Sequence, residues 1–152
     1  MTPAGQFHGD VGAELLRRLG NHVVGRKLGR VYNSDTGFVL ARDPDTVLAP
    51  DVAFVHRDRL PKRRTSTFFE GPPDLAIEVR SPSDSRRATT NKARVWLTHG
   101  AQDVWVVDPQ DETVKVFRSD GSTQSLRATD TLRGHGDLAG FKLPLHELFA
   151  DD

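Results

Sequence analysis

Residues 73–85 have the sequence PDLAIEVRSPSDS, in which a mostly apolar strand contains a glutamate and then stops at Ser-Pro. Side chains alternate between the two faces of a strand. One face therefore carries Leu75, Ile77 and Val79. The other face carries Asp74, Ala76, Glu78 and Arg80. A buried carboxylate is unfavourable unless a cation pairs with it, so Glu78 is either solvated or placed beside a positive charge.

The next two elements indicate how this strand is connected. A helix is predicted over 86–99, with Gly100 as its stop and with one stripe formed by Ala88, Lys92, Val95, Trp96 and His99. An apolar strand, DVWVVD, is predicted over 103–108. A strand, a helix and a second strand form a right-handed crossover. Strands 74–80 and 103–108 are therefore expected to be parallel neighbours, with Trp96 and Trp105 in the core.

The remaining chain predicts a single domain over 1–152. Apolar spacing of three and four residues predicts a first helix over 6–24. Turn residues divide the following segment into antiparallel strands near 30–33, 37–41 and 46–56, and residues 57–73 are predicted to be a long polar loop. A hairpin is expected within 113–126 and a short helix within LPLHELF at 143–149. The predicted class is α/β (α+β), with a mixed β-sheet flanked by helices.

Composition excludes several classes of function. The 152 residues include no cysteine, so disulfides, thiolate metal sites and cysteine nucleophiles are excluded. With 36% hydrophobic residues and no long apolar run, we expect a cytoplasmic protein without a membrane segment. There are 21 basic and 21 acidic residues, so bulk charge predicts no strong sequence-independent affinity for nucleic acid. No phosphate-binding GxxxxGK[ST] motif is present, and no nucleotide cofactor is expected.

The acidic residues suggest a metal site only across strands. The Cα atoms of Asp74 and Glu78 are roughly 13 Å apart along one strand, too far for both to bind one magnesium ion at about 2.0–2.1 Å. Asp51, in the apolar segment VLAPDVAFV, could meet Glu78 if strand 51–55 pairs with strand 74–80; it could equally cap a turn after Pro50. Lys92 lies on a largely apolar stripe, so its ammonium either snorkels to solvent or approaches Glu78.

These features resemble a known family. Pro50-Asp51, the PDLAIEVRSPSDS element, Lys92 on the next helix and the DVWVVDP strand are similar to the Uma-two family of restriction endonuclease-like proteins, within the PD-(D/E)xK nuclease superfamily. The resemblance extends from the first helix to LPLHELF. It implies a restriction endonuclease-like core.

The resemblance also implies roles for individual residues. Asp51 and Glu78 would be catalytic acids that bind a metal ion, and Val79 would lend its backbone carbonyl to that ion. Arg80 occupies the usual position of the lysine, so the catalytic lysine would be Lys92, displaced to the following helix. Asp74 also matches the family pattern, but the distance above gives it no ligand role.

The implied activity is that of an endodeoxyribonuclease dependent on Mg²⁺ or Mn²⁺, acting on DNA as a homodimer. Contacts to nucleic acid are expected at Arg80 and from a basic loop that contains Arg57, Arg59, Lys62, Arg63 and Arg64, although such a loop is also typical of a merely solvated segment. Arg80 could instead pair with Glu78. His8 could lie near the cleft, but a surface or packed position is the ordinary expectation.

Two alternatives stay open: a nucleic-acid-binding or regulatory protein with this fold and little or no cleavage, and an RNA-directed nuclease.

Overall fold

The computed structural model describes residues 4–151, and its centre is a six-stranded mixed sheet. The helices are α1 (Gln6–Gly25), α2 (Arg86–Thr98) and α3 (Leu145–Phe149). The strands are β1 (Gly29–Tyr32), β2 (Phe38–Ala41), β3 (Thr46–Leu48), β4 (Val52–His56), β5 (Phe69–Glu70), β6 (Leu75–Val79), β7 (Asp103–Asp108), β8 (Thr113–Arg118), β9 (Thr123–Arg127), β10 (Thr131–Arg133) and β11 (Lys142–Pro144). The main sheet has the order β1-β4-β6-β7-β8-β9.

The β6-α2-β7 crossover is at the middle of this sheet, as the sequence predicts. Strands β6 and β7 are parallel, and the other pairs of the main sheet are antiparallel. Strand β4 pairs with β6 so that Val52 faces Ile77 and Ala53 faces Ala76. Pairing of these two strands was the condition for Asp51 to meet Glu78.

Two hydrophobic layers cover the two faces of the sheet. Helices α1 and α3, together with the β10-β11 ribbon, pack on the face that carries Leu75, Ile77 and Trp105. Helix α2 and a second sheet of order β3-β2-β5 pack on the face that carries Ala76 and Val104. The alternation along β6 therefore separates the two cores, and Glu78 lies on the α2 side.

Four sequence-based expectations need correction. The predicted strand 46–56 is two strands in different sheets, because Ala49, Pro50 and Asp51 interrupt it and proline cannot donate a ladder hydrogen bond. The predicted loop 57–73 contains β5, which pairs with β2. The β10-β11 ribbon was not predicted, since both strands are only three residues long.

The fourth correction concerns the buried face of α2. Thr89, Ala93 and Trp96 form that face, whereas Ala88 is exposed.

Within residues 4–151, none of the helices combines the length and apolar character needed to cross a membrane.

Candidate active site

The carboxylate of Asp51 lies at the end of β6 because the chain enters β4 immediately after Pro50. Oδ2 of Asp51 accepts a 2.7 Å hydrogen bond from the Val79 N–H. The Asp51 carboxylate thus accepts the hydrogen bond from the Val79 N–H that a backbone carbonyl of a neighbouring strand would otherwise accept. Extending the register of β4 and β6 by one residue places Asp51 opposite Glu78. The two acids that sequence analysis could pair only conditionally are neighbours.

Glu78 is a buried carboxylate with two specific partners. Its side chain is 5% exposed; Oε1 accepts a 2.9 Å bond from the indole Nε1–H of Trp96, and Oε2 lies 3.2 Å from Nζ of Lys92. Burial raises the pKa of Glu78 to about 7, and the nearby charge of Asp51 raises it too. Lys92 and Trp96 act in the opposite direction but do not offset burial. The charged form of Glu78 is therefore held at a free-energy disadvantage that another cation would reduce.

Helix α2 presents both partners of Glu78 because Lys92 and Trp96 are four residues apart on it and share a face. The start of the helix is fixed by Ser85, whose hydroxyl accepts a 3.0 Å bond from the Ala88 N–H. The Ser-Pro that ends the strand belongs to a tight connection, in which Oγ of Ser81 lies 3.0 Å from a carboxylate oxygen of Asp84. The Lys92 side chain is 43% exposed, so the amine borders solvent while it contacts a buried acid.

His8 lies beside this cluster, whereas a surface or packed position was the ordinary expectation from the sequence. Its Nε2 lies 2.8 Å from the carbonyl oxygen of Val79 and 3.7 Å from Oδ2 of Asp51. The ring comes from the first turns of α1, which cross the same end of β6. No local spacing links His8 to a distant strand, so only the packing of α1 on the sheet could have identified it. The Val79 carbonyl, expected to face a metal ion, is thus already a hydrogen-bond acceptor.

Arg80 and Asp74 lie away from this cluster. Arg80 is directed toward Asp108, with its Nε 3.4 Å from Oδ2 and the side chain only 13% exposed. The expectation that Arg80 pairs with Glu78 is therefore wrong, and burial leaves it little surface to offer a phosphate. Asp74, at the other end of β6, accepts a 2.6 Å bond from the His56 N–H and pairs with Arg59 at 3.1 Å.

The basic loop begins at the opposite end of β4 from Asp51, roughly 17 Å away for five residues of strand. Arg59 donates a 2.6 Å bond to the Pro72 carbonyl and pairs with Asp74, so it fastens the loop to the sheet. Arg57, Lys62, Arg63 and Arg64 are exposed. The structure thus brings together Asp51, Glu78, Val79 and Lys92 from the predicted set, but does not place Arg57 and Arg59 beside them.

The donor atoms at the cluster suit a hard divalent cation. Within residues 4–151, no three His, Asp or Glu side chains converge as a ready metal site. The oxygens available are those of two carboxylates from adjacent strands and the Val79 carbonyl, and Mg²⁺ is typically held by one or two carboxylates and completed by water. The buried Glu78, whose pKa is raised, is the observation that favours a cation here.

Comparison with known proteins gives a family match and several solved structures with a similar fold. The model of the Uma2 family, described as "Putative restriction endonuclease", matches residues 1–146. A crystal structure described as "a putative nuclease belonging to DUF820" from Anabaena variabilis superposes with a TM-score of 0.87 at 23% sequence identity. The alignment covers 99% of this chain and 83% of the other, and at this identity it shows the shared fold. No curated protein matches the chain.

Proposed function

Because the chain belongs to the Uma2 family, we propose that it is a metal-dependent endonuclease that hydrolyses phosphodiester bonds of DNA. The observation that carries this proposal is the meeting of Asp51 and Glu78 at one end of β6, with the Lys92 amine 3.2 Å from Glu78. Two carboxylates that can hold a divalent cation, with an amine beside them to stabilise developing negative charge, suit metal-assisted phosphodiester hydrolysis.

Asp51, Glu78 and the Val79 carbonyl are the proposed ligands of Mg²⁺ or Mn²⁺. When bound, such an ion polarises the phosphoryl group and lowers the pKa of a bound water. The chain's own residues orient the ligands: the Trp96 indole holds one oxygen of Glu78, and the Val79 N–H holds Asp51. Lys92, half-exposed beside Glu78, is placed to orient the attacking water and to stabilise negative charge that develops on the phosphate.

A plasmid assay tests this function. Purified protein is incubated with supercoiled plasmid and Mg²⁺ or Mn²⁺, beside the Asp51→Asn and Glu78→Gln variants. We expect nicking or linearisation by the wild type and a loss of at least about 100-fold in each variant, the order of magnitude that removing one charge-stabilising group costs. Cleavage that persists equally in both variants would contradict the assignment.

A second candidate is a protein that binds nucleic acid and does not cleave it. The observation in its favour is that Arg80, at the position of the usual lysine, is committed to Asp108. The same assay separates the two candidates, since wild-type protein that binds plasmid but leaves it intact with both metals would favour the second.

We further propose a homodimer, since cutting two strands needs two sites and two-fold dimers are the commonest assembly. Of the two surfaces considered from the sequence, the apolar strands β6 and β7 are central and buried, while the β8-β9 hairpin ends the sheet. The hairpin is therefore the proposed interface. Light scattering coupled to size exclusion should give twice the 16.8 kDa chain mass, and a monomer would contradict it.

A further inference from the structure

A groove of about 1060 Å³ runs along the outer edge of β1 and is lined by residues other than Asp51, Glu78 and Lys92. One wall is the end of α1 with Val24 and the following turn with Lys27, and the other is the 59–70 segment. Small-molecule pockets typically occupy about 300–1,000 Å³. The open groove lies at the top of that range, which suits a segment of a polymer better than a compact ligand.

The charge of the groove favours an anion. Lys27, Arg30, Arg59 and Arg64 line it, against Asp35 and Glu70. Glu70 is already paired with Arg42, and Arg59 with Asp74. Considering residues 4–151, no acidic group lies within 4.0 Å of the cationic ends of Lys27, Arg30 or Arg64. The groove thus concentrates uncompensated positive charge on a chain whose formal net charge is zero.

An exposed aromatic ring lies among these cations. Phe68 is 58% exposed, yet its ring is held against Gly37, where an added Cβ would lie 2.8 Å from Cδ1 of the ring. Tyr32 also lines the groove and packs edge-on against Phe38. Aromatic rings within a basic groove are the arrangement by which proteins bind single-stranded nucleic acid, because each base stacks on a ring while phosphates contact the cations.

The groove opens on the face of the sheet that carries Glu78. Tyr32 lies opposite Ala53 in the register of β1 and β4, two positions from Asp51. Two residues along a strand and one strand spacing separate the Cα atoms of Tyr32 and Asp51 by roughly 8 Å. Phe38 in turn packs edge-on against Trp96, the hydrogen-bond donor to Glu78. The buried rings of Phe38 and Trp96 therefore stand between the groove and Glu78, so a strand that leaves the groove must pass around them to reach the carboxylates.

A second copy of this chain fits the groove less well. Antiparallel pairing of two β1 edges about a two-fold axis would bring equivalent cations such as Arg30 of both chains close together, and like charges across a strand pair are destabilising. A bound polyanion would reduce the repulsion among the cations of the groove, whereas a second copy of the chain would increase it.

We propose that this groove binds a single-stranded segment of nucleic acid, with a base stacked on Phe68 and phosphates contacted by Arg30 and Arg64. The inference rests on the proposed function, since it assigns a binding site for a single strand of the substrate beside the sheet that carries Asp51 and Glu78. The strand enters along β1 and leaves the groove beside Tyr32.

The test is the fluorescence anisotropy of a labelled 20-nucleotide oligo(dT) in EDTA, where no cleavage occurs. We expect Phe68→Ala to bind about 5- to 100-fold more weakly than wild type, because of lost stacking, and to bind a 20-base-pair duplex nearly as well as wild type. Arg30→Gln/Arg64→Gln should reduce the salt slope by about 1.4, that is, by two phosphate contacts at about 0.7 each. The matched control is Arg133→Gln/Lys142→Gln, which removes two exposed cations on the β10-β11 ribbon and should change the slope by less than half as much.

Several results would overturn the inference: no binding of oligo(dT) by the wild type at low salt, equal losses in the control variant, or wild-type affinity in both groove variants. A change in oligomeric state caused by Phe68→Ala would assign the groove to self-association instead. Failure of the proposed function is distinguishable, because a wild type that binds through the groove but never cleaves plasmid refutes only the hydrolase. Circular dichroism spectra that match the wild type show that the variants are folded.

Discussion

Nζ of Lys92 lies 3.2 Å from Oε2 of Glu78, so a half-exposed amine on a helix pairs with a carboxylate buried in the central sheet. The pair is asymmetric in its surroundings. Glu78 has lost most of its hydration, while Lys92 keeps part of its own. Removing either partner should therefore have different consequences for stability and for activity.

Without metal, Glu78→Gln should stabilise the protein above neutral pH. The pKa of Glu78 rises from 4.5 to about 7 on folding, so between these values the native state binds more protons than the unfolded state. Stability from this group is then fully present below about pH 4.5 and is lost as pH rises through about 7. At about 1.4 kcal/mol per pKa unit, the wild-type loss at pH 8 is on the order of 3 kcal/mol.

Urea unfolding in EDTA at pH 4 and pH 8 measures this effect. The Gln variant should match wild type at pH 4 and exceed it at pH 8 by up to that amount, whereas the exposed Glu112→Gln control should show no such difference. A Gln variant that is less stable than wild type at pH 8 would mean that Glu78 is charged and well compensated in the folded protein.

Lys92→Gln should abolish most cleavage and should also lower stability above neutral pH, because Lys92 is the cation beside the buried Glu78 carboxylate. Its side chain is 43% exposed, so truncating the charge leaves no buried cavity. We expect the plasmid-cleavage rate to fall by about 100-fold or more, as for the loss of one group that stabilises developing charge. Lys142→Gln, an exposed lysine on β11, is the matched control. Equal rates in the two variants would exclude a catalytic role for Lys92.

His8→Ala should loosen the attachment of α1 to the end of β6. The variant removes the 2.8 Å contact between the ring and the Val79 carbonyl, and one hydrogen bond is worth about 1 kcal/mol net. Urea unfolding should show a decrease of about that size, against no change in the exposed His146→Ala control. No difference between the two variants would show that the contact contributes nothing to stability.

Arg59→Gln should lower the free energy of unfolding. Arg59 joins the Pro72 carbonyl and the partly buried Asp74, and hydrogen bonds to charged groups contribute about 1.5–3 kcal/mol. With solvent screening of a partly exposed pair, a loss of about 1–2 kcal/mol is expected. Arg63→Gln, exposed in the same loop, should leave the unfolding midpoint unchanged. A stability of Arg59→Gln equal to that of Arg63→Gln would contradict the structural role.

Local sequence pattern predicted the β6-α2-β7 crossover because alternation, helical spacing and Gly100 act over short distances, and it offered the approach of Lys92 to Glu78 as one of two alternatives. The sequence could place Asp51 opposite Glu78 only if strands 51–55 and 74–80 were assumed to pair, since strand register is set by tertiary pairing. Local pattern could not predict contacts between residues far apart in the chain. These are the contacts of His8 with Val79, of Arg80 with Asp108 and of Arg59 with Asp74. Each depends on how α1, β7 or the loop packs, and no spacing in the sequence encodes that.

Calorimetric titration with Mn²⁺ at pH 8 tests most directly whether Asp51 and Glu78 share a cation. Wild-type protein should bind one ion per chain, and Asp51→Asn and Glu78→Gln should each weaken binding by at least tenfold, while Glu112→Gln binds like wild type. Affinity should also fall between pH 8 and pH 6, because the ion competes with the proton on Glu78. Undiminished Mn²⁺ binding in the Asp51→Asn/Glu78→Gln double variant would contradict the account.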